Sequence, residues 1–548
     1  MKRAGKRSEA GWLFHGGRIL DARRTASSPK GRGAGRAGPA ADRYPGAVLV
    51  RGDRIVDVGP LDRLRRIAGK GIRAVDLRGG TLTPGFVDAH IHLLTWIRSV
   101  SDVWLERQSP EGLEEAVRVA SAQAADGGWV TIRGWVPREW PGELKRPSTL
   151  DQVLPDRPLV LFAIDGHSVW GNSVALQAAG LGAHTADPPG GTVDRDPGGA
   201  LTGVLIEEAA PLLRRAVPRR REPAEDLARA IRKAHSLGIT GAHDFDRTDI
   251  WTAAQELSER DRLTFRLLLS VPAARLGSAQ ALELRSGWGN DRVRIGPVKF
   301  FADGTLGSGT ALLEEEYDDD TSMGTEVTSR AELEDRCVQA RKAGLTVAIH
   351  AIGDRAVRNA LDAIEAAIQS GGFPLPPRIE HIQLAREDDL PRFKGLGVLA
   401  SVQPIHQVTD RAVARRKWGV RTARSYAYRS LQRAGAKLLF GSDAPFDRPG
   451  PLFALQAALL RRGGDEPDTE AFHPEQRVGL AQALRAHLEE PNRAAGWTTP
   501  LGRIEPGWGA DLVQFDQDLL RIGHENLHHS EVRGVWVGGT QAYGGNSL

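Results

Sequence analysis

Short runs of apolar residues, many of them β-branched or aromatic, recur along the middle of the chain and mostly end near a polar residue. Such runs are typical of buried strands. The eight runs cover residues 85–92, 238–245, 265–271, 297–304, 345–353, 377–383, 397–404 and 437–445. Helical patterns separate most of them: Ser329 and Glu332 form a capping box at the start of one helix, and glycines at 371–372 end another. Strands that alternate with helices in this way predict an α/β fold, a (β/α)8 TIM-type barrel.

The spacing of the polar residues at the ends of these runs fits a barrel. A barrel of about 250 residues has about 31 residues in each strand–helix unit. His350 and His381 are 31 residues apart, which is one unit, and His381 and Asp443 are 62 apart, which is two. Lys299 and His350 are 51 apart, which fits one unit with a longer loop.

The first and second predicted barrel strands are too far apart for one helix to connect them. The residues between them contain β-rich runs of their own, at 129–135 and 158–167. We therefore predict a barrel over residues 84–499 with an inserted α/β subdomain at about residues 95–235.

Both ends of the chain contain short strand patterns. We predict that residues 1–83 and 500–548 pair into one small composite β-sandwich. Residues 28–46 are rich in Gly, Ala and Arg, which predicts a flexible insertion in a surface loop. A basic arm that binds nucleic acid is the alternative for this stretch.

Composition narrows the class of protein. The hydrophobic fraction of 41% and charged fraction of 26% are typical of a globular protein, and a net charge of +4 is small for 548 residues. The basic stretch at residues 28–46 is poor in aromatic residues, so we expect no nucleic-acid partner. We expect no membrane span or signal peptide, because no apolar run has the necessary length. The single cysteine, Cys337, excludes an intrachain disulfide and favours a cytoplasmic protein whose metal ligands are nitrogen and oxygen.

Candidate metal ligands fall at the ends of the predicted strands. His90 and His92 lie two residues apart, so their side chains share one face at the carboxyl end of the first strand, where barrel active sites form. Imidazole nitrogens bind Zn²⁺ well, but this pair alone is weak evidence and favours two ordinary strand histidines. His350, His381 and Asp443 follow other apolar runs at equivalent positions. Their convergence favours a metal site.

Several motifs together resemble the amidohydrolase superfamily, in particular amidohydrolase family 3, which includes N-substituted formamide deformylases. The motifs are PGFVDAHIHL, KFFADGTLGSGTA, IHAIGDRAV, RIEHIQ, SVQP and GSDAP. The resemblance extends to LDQVLPDRPLVLFAIDGHSVWGNSVAL in the predicted insert and to GRIEPGWGADLVQFD near the C-terminus. It implies a metal-dependent hydrolase without specifying the substrate.

The resemblance also implies roles for individual residues. The implied metal ligands are His90, His92, Lys299, His350, His381 and Asp443. Lys299 stands where many members of the superfamily have a lysine that reacts with CO2, and the carbamate would bridge two metal ions. A mononuclear site is the alternative, as is a lysine that points outward or pairs with Asp303. The expected cofactor is one or two divalent ions, with Zn²⁺ preferred.

Further residues are candidates for substrate contacts: His167, Trp170, Asn172, Asp303 and Gln403. The first three belong to DGHSVWGNS, a stretch that the family places near the substrate, although an ordinary turn with a buried Trp explains it equally well. Asp303 follows the fourth strand and is also a turn-starting residue ahead of a glycine. Gln403 and His406 end the seventh strand, where we expect them to line the pocket.

The predicted function is hydrolysis of a non-peptide C–N bond, in an amide or an N-substituted formamide. A hydroxide activated by the metal would attack the substrate carbon, with Asp443 as the general base. A deaminase of a cyclic or exocyclic amine is one alternative, and a metal-binding scaffold without turnover is another. The expected partner is a small-molecule substrate, and a homo-oligomer is compatible with the sequence.

Overall fold

The computed structural model describes residues 11–25, 46–124, 128–163, 168–217, 222–246, 249–466 and 468–544. His167 and nearly all of the Arg/Gly-rich stretch at 28–46 lie outside these ranges. The chain divides into two compact units, Met1–Trp96 with Pro223–Leu548, and Ile97–Glu222. The domain limits that the sequence suggests remain predictions.

Eight parallel strands form the central sheet of the first unit. In chain order they are Phe86–Ile91, Ile239–Asp244, Arg266–Pro272, Val293–Phe301, Val347–Ala351, Arg378–His381, Leu399–Val402 and Lys437–Phe440. Each strand overlaps one predicted apolar run. Near the carboxyl ends of the first and last strands, the Asp443 amide donates to the His90 carbonyl at 2.7 Å and the His92 amide to the Ala444 carbonyl at 3.0 Å. These bonds join the two edges, and the predicted (β/α)8 barrel is confirmed.

The α-helices pack around the sheets of both units. Their bounds are Leu61–Ala68, Leu93–Ser101, Pro110–Gln123, Pro147–Val153, Ser173–Ala178, Ala210–Arg214, Pro223–Ser236, Asp249–Glu259, Leu276–Ala281, Arg330–Lys342, Asp354–Gln369, Leu390–Gly395, His406–Thr409, Arg411–Trp418, Tyr428–Arg433, Pro451–Leu460, Leu480–Leu488 and Glu490–Ala495. The predicted N-cap is present, because the Ser329 hydroxyl accepts from the Glu332 amide at 3.3 Å. None of the helices in the described residues is both long and apolar enough to cross a membrane.

The two-residue period of the strands sorts their side chains between the core and the site. In the fourth strand, Val298 and Phe300 belong to the main hydrophobic cluster, whereas Lys299 between them points to the opposite face. In the fifth strand, Ile349 and Ala351 belong to the same cluster, with His350 between them. Packing against the helices therefore fixes the direction in which the polar side chains point.

The second unit contains a mixed six-stranded sheet. Its strands are Val103–Trp104, Val130–Trp135, Leu159–Ala163, Ser168–Gly171, Gly191–Arg195 and Leu201–Glu207. Two of them coincide with the β-rich runs seen in this part of the sequence. The insert therefore has the α/β character that the sequence predicts.

Strands from both ends of the chain share a sheet. Thr81–Pro84 pairs antiparallel with Leu512–Phe515, and the other strands of this sheet are Arg18–Ile19, Val532–Val537 and Thr540–Gly544. A four-stranded sheet contains Gly11–His15, Gly46–Arg51, Arg54–Pro60 and Ile72–Asp76. The rings of Phe14 and Trp536 meet edge to face at 4.8 Å in the core between the two sheets. The composite sandwich from both chain ends is confirmed.

A buried ion pair ties the barrel to this sandwich. Arg266, at the start of the third barrel strand, donates to both carboxylate oxygens of Asp511, at 2.5 and 2.8 Å, and both residues are buried. We expect Asp511→Ala to destabilise the fold by about 3–5 kcal/mol, because it leaves a buried guanidinium without its counter-ion. Guanidinium unfolding followed by tryptophan fluorescence measures this loss.

The exposed pair of Arg448 and Asp465 provides the matched control. Asp465→Ala removes the same group from a surface ion pair, and we expect it to cost less than about 1 kcal/mol. Equal unfolding midpoints for the two variants would show that the buried pair does not stabilise the junction.

Candidate metal centre

Asp443 lies at the centre of a cluster of histidines at the carboxyl ends of the barrel strands. Its Oδ1 atom is 3.4 Å from His90 Nε2 and 3.5 Å from His92 Nε2. The candidate ligand atoms of these three residues all lie within 4.8 Å of one another. Asp443 has φ = +59°, a left-handed conformation that aspartate tolerates better than most residues. This backbone conformation helps to direct its carboxylate towards the histidines.

A carboxylate behind His90 fixes the proton on that imidazole. His90 Nδ1 donates to Glu380 Oε2 at 2.7 Å, which leaves the Nε2 lone pair on the side of Asp443. Burial alone would raise the pKa of Glu380, but the Arg378 charge and the His90 contact hold it well below its usual range. Burial and the charge of Lys299 lower the pKa of His90 to about 4, so the ring is neutral at pH 7. A neutral imidazole held by a carboxylate is typical of metal-ligating histidines.

Arg378 and Glu380 are functional residues without a role predicted from the sequence. The signal was the pair of charged residues two apart in the apolar run PRIEHIQ, because charges in a buried strand need partners. The Arg378 guanidinium donates to both oxygens of Glu380 and also to the Ala89 carbonyl and the Ser401 hydroxyl. It therefore holds Glu380 in position behind His90.

His350 and His381 are also oriented by hydrogen-bond acceptors. His350 Nε2 donates to the Gly304 carbonyl at 2.9 Å, and His381 Nδ1 donates to Gln403 Oε1 at 2.9 Å. Their ring centroids are 4.5 Å apart. Burial lowers the pKa of His350 to about 3 and the pKa of His381 well below its usual value. Gln403, a candidate substrate contact, thus orients a histidine; direct contact with the substrate remains a prediction.

A second group of candidate ligands includes a residue outside the set implied by sequence. His381 Nδ1, which donates to Gln403, and His406 Nε2 each lie 3.9 Å from Asp443 Oδ2. The three residues meet the same 4.8 Å criterion. The two carboxylate oxygens of Asp443 thus face different histidine pairs. From the sequence, His406 is expected only to line the pocket.

Lys299 lies among aromatic rings next to the histidines. Its Nζ atom is 4.8 Å from the ring centre of Phe245, which stacks on His90, and 5.1 Å from that of Phe301, which lies beside His350. Burial lowers the pKa of Lys299 to about 8, with a contribution from Arg378. A buried lysine with a lowered pKa has more neutral amine, the form that reacts with CO2.

Asp303 connects the loops that follow the fourth and fifth barrel strands. Its carboxylate accepts from the amides of Leu312, Ile352 and Gly353 at 2.9 to 3.0 Å. Burial raises its pKa to about 7 against the opposing effect of these amides. Asp303 therefore has a structural role here, and its contact with substrate remains a prediction.

Trp170 and Asn172 are buried within the second unit. Trp170 packs against Trp135 and Trp140, with ring centroids 5.4 Å away in both cases. The Asn172 side chain accepts from the Leu159 and Ala175 amides, and thereby caps the helix Ser173–Ala178. Its amide nitrogen donates to the carbonyls of residues 154 and 157. These contacts occupy the polar atoms of the Asn172 side chain. The contacts of Trp170 and Asn172 with substrate remain predictions.

The residues present fit a divalent metal ion. The donor set consists of imidazoles and one carboxylate, which is the nitrogen and oxygen chemistry that zinc accepts. The opposite nitrogen of His90 and of His350 is held by an acceptor, so each ring offers one lone pair. These two rings are therefore held in orientations that suit metal ligands.

Comparison with known proteins agrees with the family resemblance of the sequence motifs. A model described as "Amidohydrolase family" matches residues 73–543. Protein LONG AFTER FAR-RED 3 of Arabidopsis thaliana is 34% identical over 521 residues, covering 91% of this chain and 88% of that protein. N-substituted formamide deformylase of Arthrobacter pascens is 28% identical, covering 91% and 94%.

Comparison with solved structures agrees with the match to the family model. An uncharacterised metal-dependent hydrolase from Pyrococcus horikoshii OT3 has a TM-score of 0.75 and 26% identity, with 94% of this chain and 99% of that chain covered. The family model covers most of the chain, including both groups of candidate ligands. This protein belongs to the amidohydrolase family.

Proposed function

We propose that this protein is a metal-dependent hydrolase of non-peptide C–N bonds, with N-substituted formamides as its first candidate substrates. The observation that carries the proposal is the group of His90, His92 and Asp443, in which Glu380 orients one imidazole from behind. The similarity to a protein named N-substituted formamide deformylase supports the substrate class. The proposed ligand set is that of the sequence: His90, His92, Lys299, His350, His381 and Asp443.

A divalent ion bound by these residues would lower the pKa of a water molecule and polarise the substrate carbonyl. Asp443 would accept a proton from the attacking water and return it to the leaving nitrogen. Burial alone would raise the pKa of Asp443, but the surrounding histidines hold it well below its usual range, so it is ionised at pH 7. One water molecule is consumed, the C–N bond breaks, and an N-substituted formamide yields formate and a primary amine.

Lys299 is the residue that decides between one and two metal ions. We propose that it carries a carbamate, because its amine is buried between two aromatic rings and next to His90 and His350. A carbamate on Lys299 would supply oxygen ligands for a second divalent ion.

The test is a substrate panel on protein purified without chelator. We expect formate release from at least one of N-methylformamide, N-butylformamide and N-phenylformamide. We also expect activity to be lost after dialysis against a chelator and restored by zinc. A coupled formate dehydrogenase assay measures the product. In the second arm of the test, adenine and cytosine are the substrates, and the release of ammonia is measured.

Two results would contradict the proposal. Ammonia release from a ring amine without formate release would identify a deaminase. A metal-loaded protein that is inactive on both arms would favour a scaffold without turnover.

A further inference from the structure

His406 has two possible roles that its position beside Asp443 does not by itself distinguish. As a metal ligand, it would need a free lone pair on Nε2, the nitrogen 3.9 Å from Asp443 Oδ2. As a hydrogen-bond donor, it would need a proton on that same atom. In a neutral imidazole only one nitrogen carries the proton, so the partner of Nδ1 decides between the two roles.

Three histidines of the implied ligand set, His90, His350 and His381, each have a hydrogen-bond acceptor at one ring nitrogen. Glu380 accepts from His90 Nδ1, and the Gly304 carbonyl accepts from His350 Nε2. In each case the proton stays on the ring nitrogen that faces the acceptor, and the other ring nitrogen keeps a lone pair. This is the arrangement that a metal ligand requires.

His406 has a donor behind it instead. Its Nδ1 atom lies 3.3 Å from Gln383 Nε2, an amide nitrogen, and amide nitrogens donate. Asp410 fixes the orientation of this amide, because its Oδ2 atom accepts from Gln383 Nε2 at 3.4 Å and from the Tyr426 hydroxyl at 2.9 Å. The opposite orientation would place the amide oxygen against a carboxylate oxygen. His406 Nδ1 therefore accepts, and Nε2 carries the ring proton.

This N–H group is directed towards the proposed general base without being bonded to it. The distance of 3.9 Å from Asp443 Oδ2 is too long for a hydrogen bond, so the proton remains available to a third atom. His406 lies on the Oδ2 side of the carboxylate, whereas His90 and His92 lie on the Oδ1 side. An N–H group fixed next to the base is well placed to stabilise negative charge on the substrate.

We propose that His406 is not a metal ligand and that its Nε2–H group donates a hydrogen bond to the oxygen of the scissile carbonyl group. Gln383 is the positioning residue that keeps the proton on Nε2. This inference rests on the proposed hydrolase function. It assigns His406 a catalytic role, because its N–H contacts the oxygen that becomes negatively charged when water adds.

The first test locates the proton without any substrate. Long-range ¹H–¹⁵N correlation spectra of the zinc-loaded protein, labelled with ¹⁵N-histidine, distinguish protonated from unprotonated ring nitrogens. The signals missing from the His406→Gln variant identify the residue. We expect protonated Nε2 and unprotonated Nδ1. A proton on Nδ1, or the absence of one from Nε2, would overturn the proposal.

The second test separates donation from metal binding. His406→Leu removes the donor, and we expect kcat/KM for the active formamide to fall by about 10²–10³-fold, mainly in kcat, with an unchanged metal content. His406→Gln places an amide N–H near the same point and is expected to recover part of the rate. A metal content that falls in either variant would make His406 a ligand. A rate within threefold of the wild type in both would remove its catalytic role.

Two glutamines provide a matched pair. Gln383→Met removes the donor behind His406, and we expect a lower kcat with the metal retained. Gln403→Met removes the acceptor of the His381 Nδ1–H group, and we expect metal binding to weaken by about 10–100-fold. The reverse pattern would contradict the assignment.

If the wild type hydrolyses no amide but the proton lies on Nε2, the proposed function fails and the carbonyl contact fails with it. The assignment of His406 as a donor rather than a ligand would then still stand on the spectra and the metal content.

Discussion

Replacement of both His90 and His92 by asparagine is expected to remove at least one metal equivalent per chain and to lower kcat/KM by about 10³-fold or more. The two Nε2 atoms and Asp443 Oδ1 form the tightest group of candidate ligand atoms around this carboxylate. Asparagine keeps a polar group of similar size but offers no imidazole lone pair. Inductively coupled plasma mass spectrometry after gel filtration measures the metal content.

The control is a buried histidine outside the cluster. His235 is buried, with Nδ1 against the Ile239 carbonyl at 3.0 Å and Nε2 against the Thr264 hydroxyl at 3.3 Å. We expect His235→Asn to lower stability and to keep the full metal content. Metal retained by the double variant, or no metal in the wild type, would contradict the proposed centre.

The metal content per chain also tests whether Lys299 carries a carbamate. With a carbamate the wild type should hold about two ions, and Lys299→Ala should hold about one. One ion in both proteins would indicate a mononuclear site formed without the lysine.

The barrel could be predicted from the sequence because each strand is indicated by a pattern of neighbouring residues. Each strand is buried, so each appears as an apolar run, and packing against helices fixes which residues of the run face the site. The alternation of Val298, Lys299 and Phe300 is visible without a structure. The pair of His90 and His92 at the end of a run is equally visible, and the structure brings both next to Asp443.

The features of the site that could not be predicted from the sequence depend on contacts between segments that are distant along the chain. Glu380 is 290 residues from His90, so no local pattern reveals that it holds the imidazole. The tautomer of His406 depends on an amide whose orientation is fixed by Asp410, which no motif encodes. Asn172 shows the opposite case: its place before the helix Ser173–Ala178 is an ordinary N-cap signal, to which the family resemblance gave a functional interpretation.

Asp443→Asn is expected to lower kcat/KM by about 10³–10⁴-fold at saturating zinc, because the amide cannot accept the proton of the attacking water. Asparagine is the appropriate replacement, since it tolerates the left-handed backbone at φ = +59° and occupies the same volume. The variant should therefore fold with an unchanged unfolding midpoint. Formate release and guanidinium unfolding measure the two quantities.

Asp511→Asn is the matched substitution of another buried aspartate, one that pairs with Arg266 at the barrel–sandwich junction. We expect the opposite result there: lower stability, and a kcat close to that of the wild type at a temperature where the variant is folded. If Asp443→Asn retained a rate within tenfold of the wild type, Asp443 would not be the general base. If both variants lost activity only in proportion to stability, the carboxylate at 443 would be structural, and the proton would have to leave through another group near the histidines.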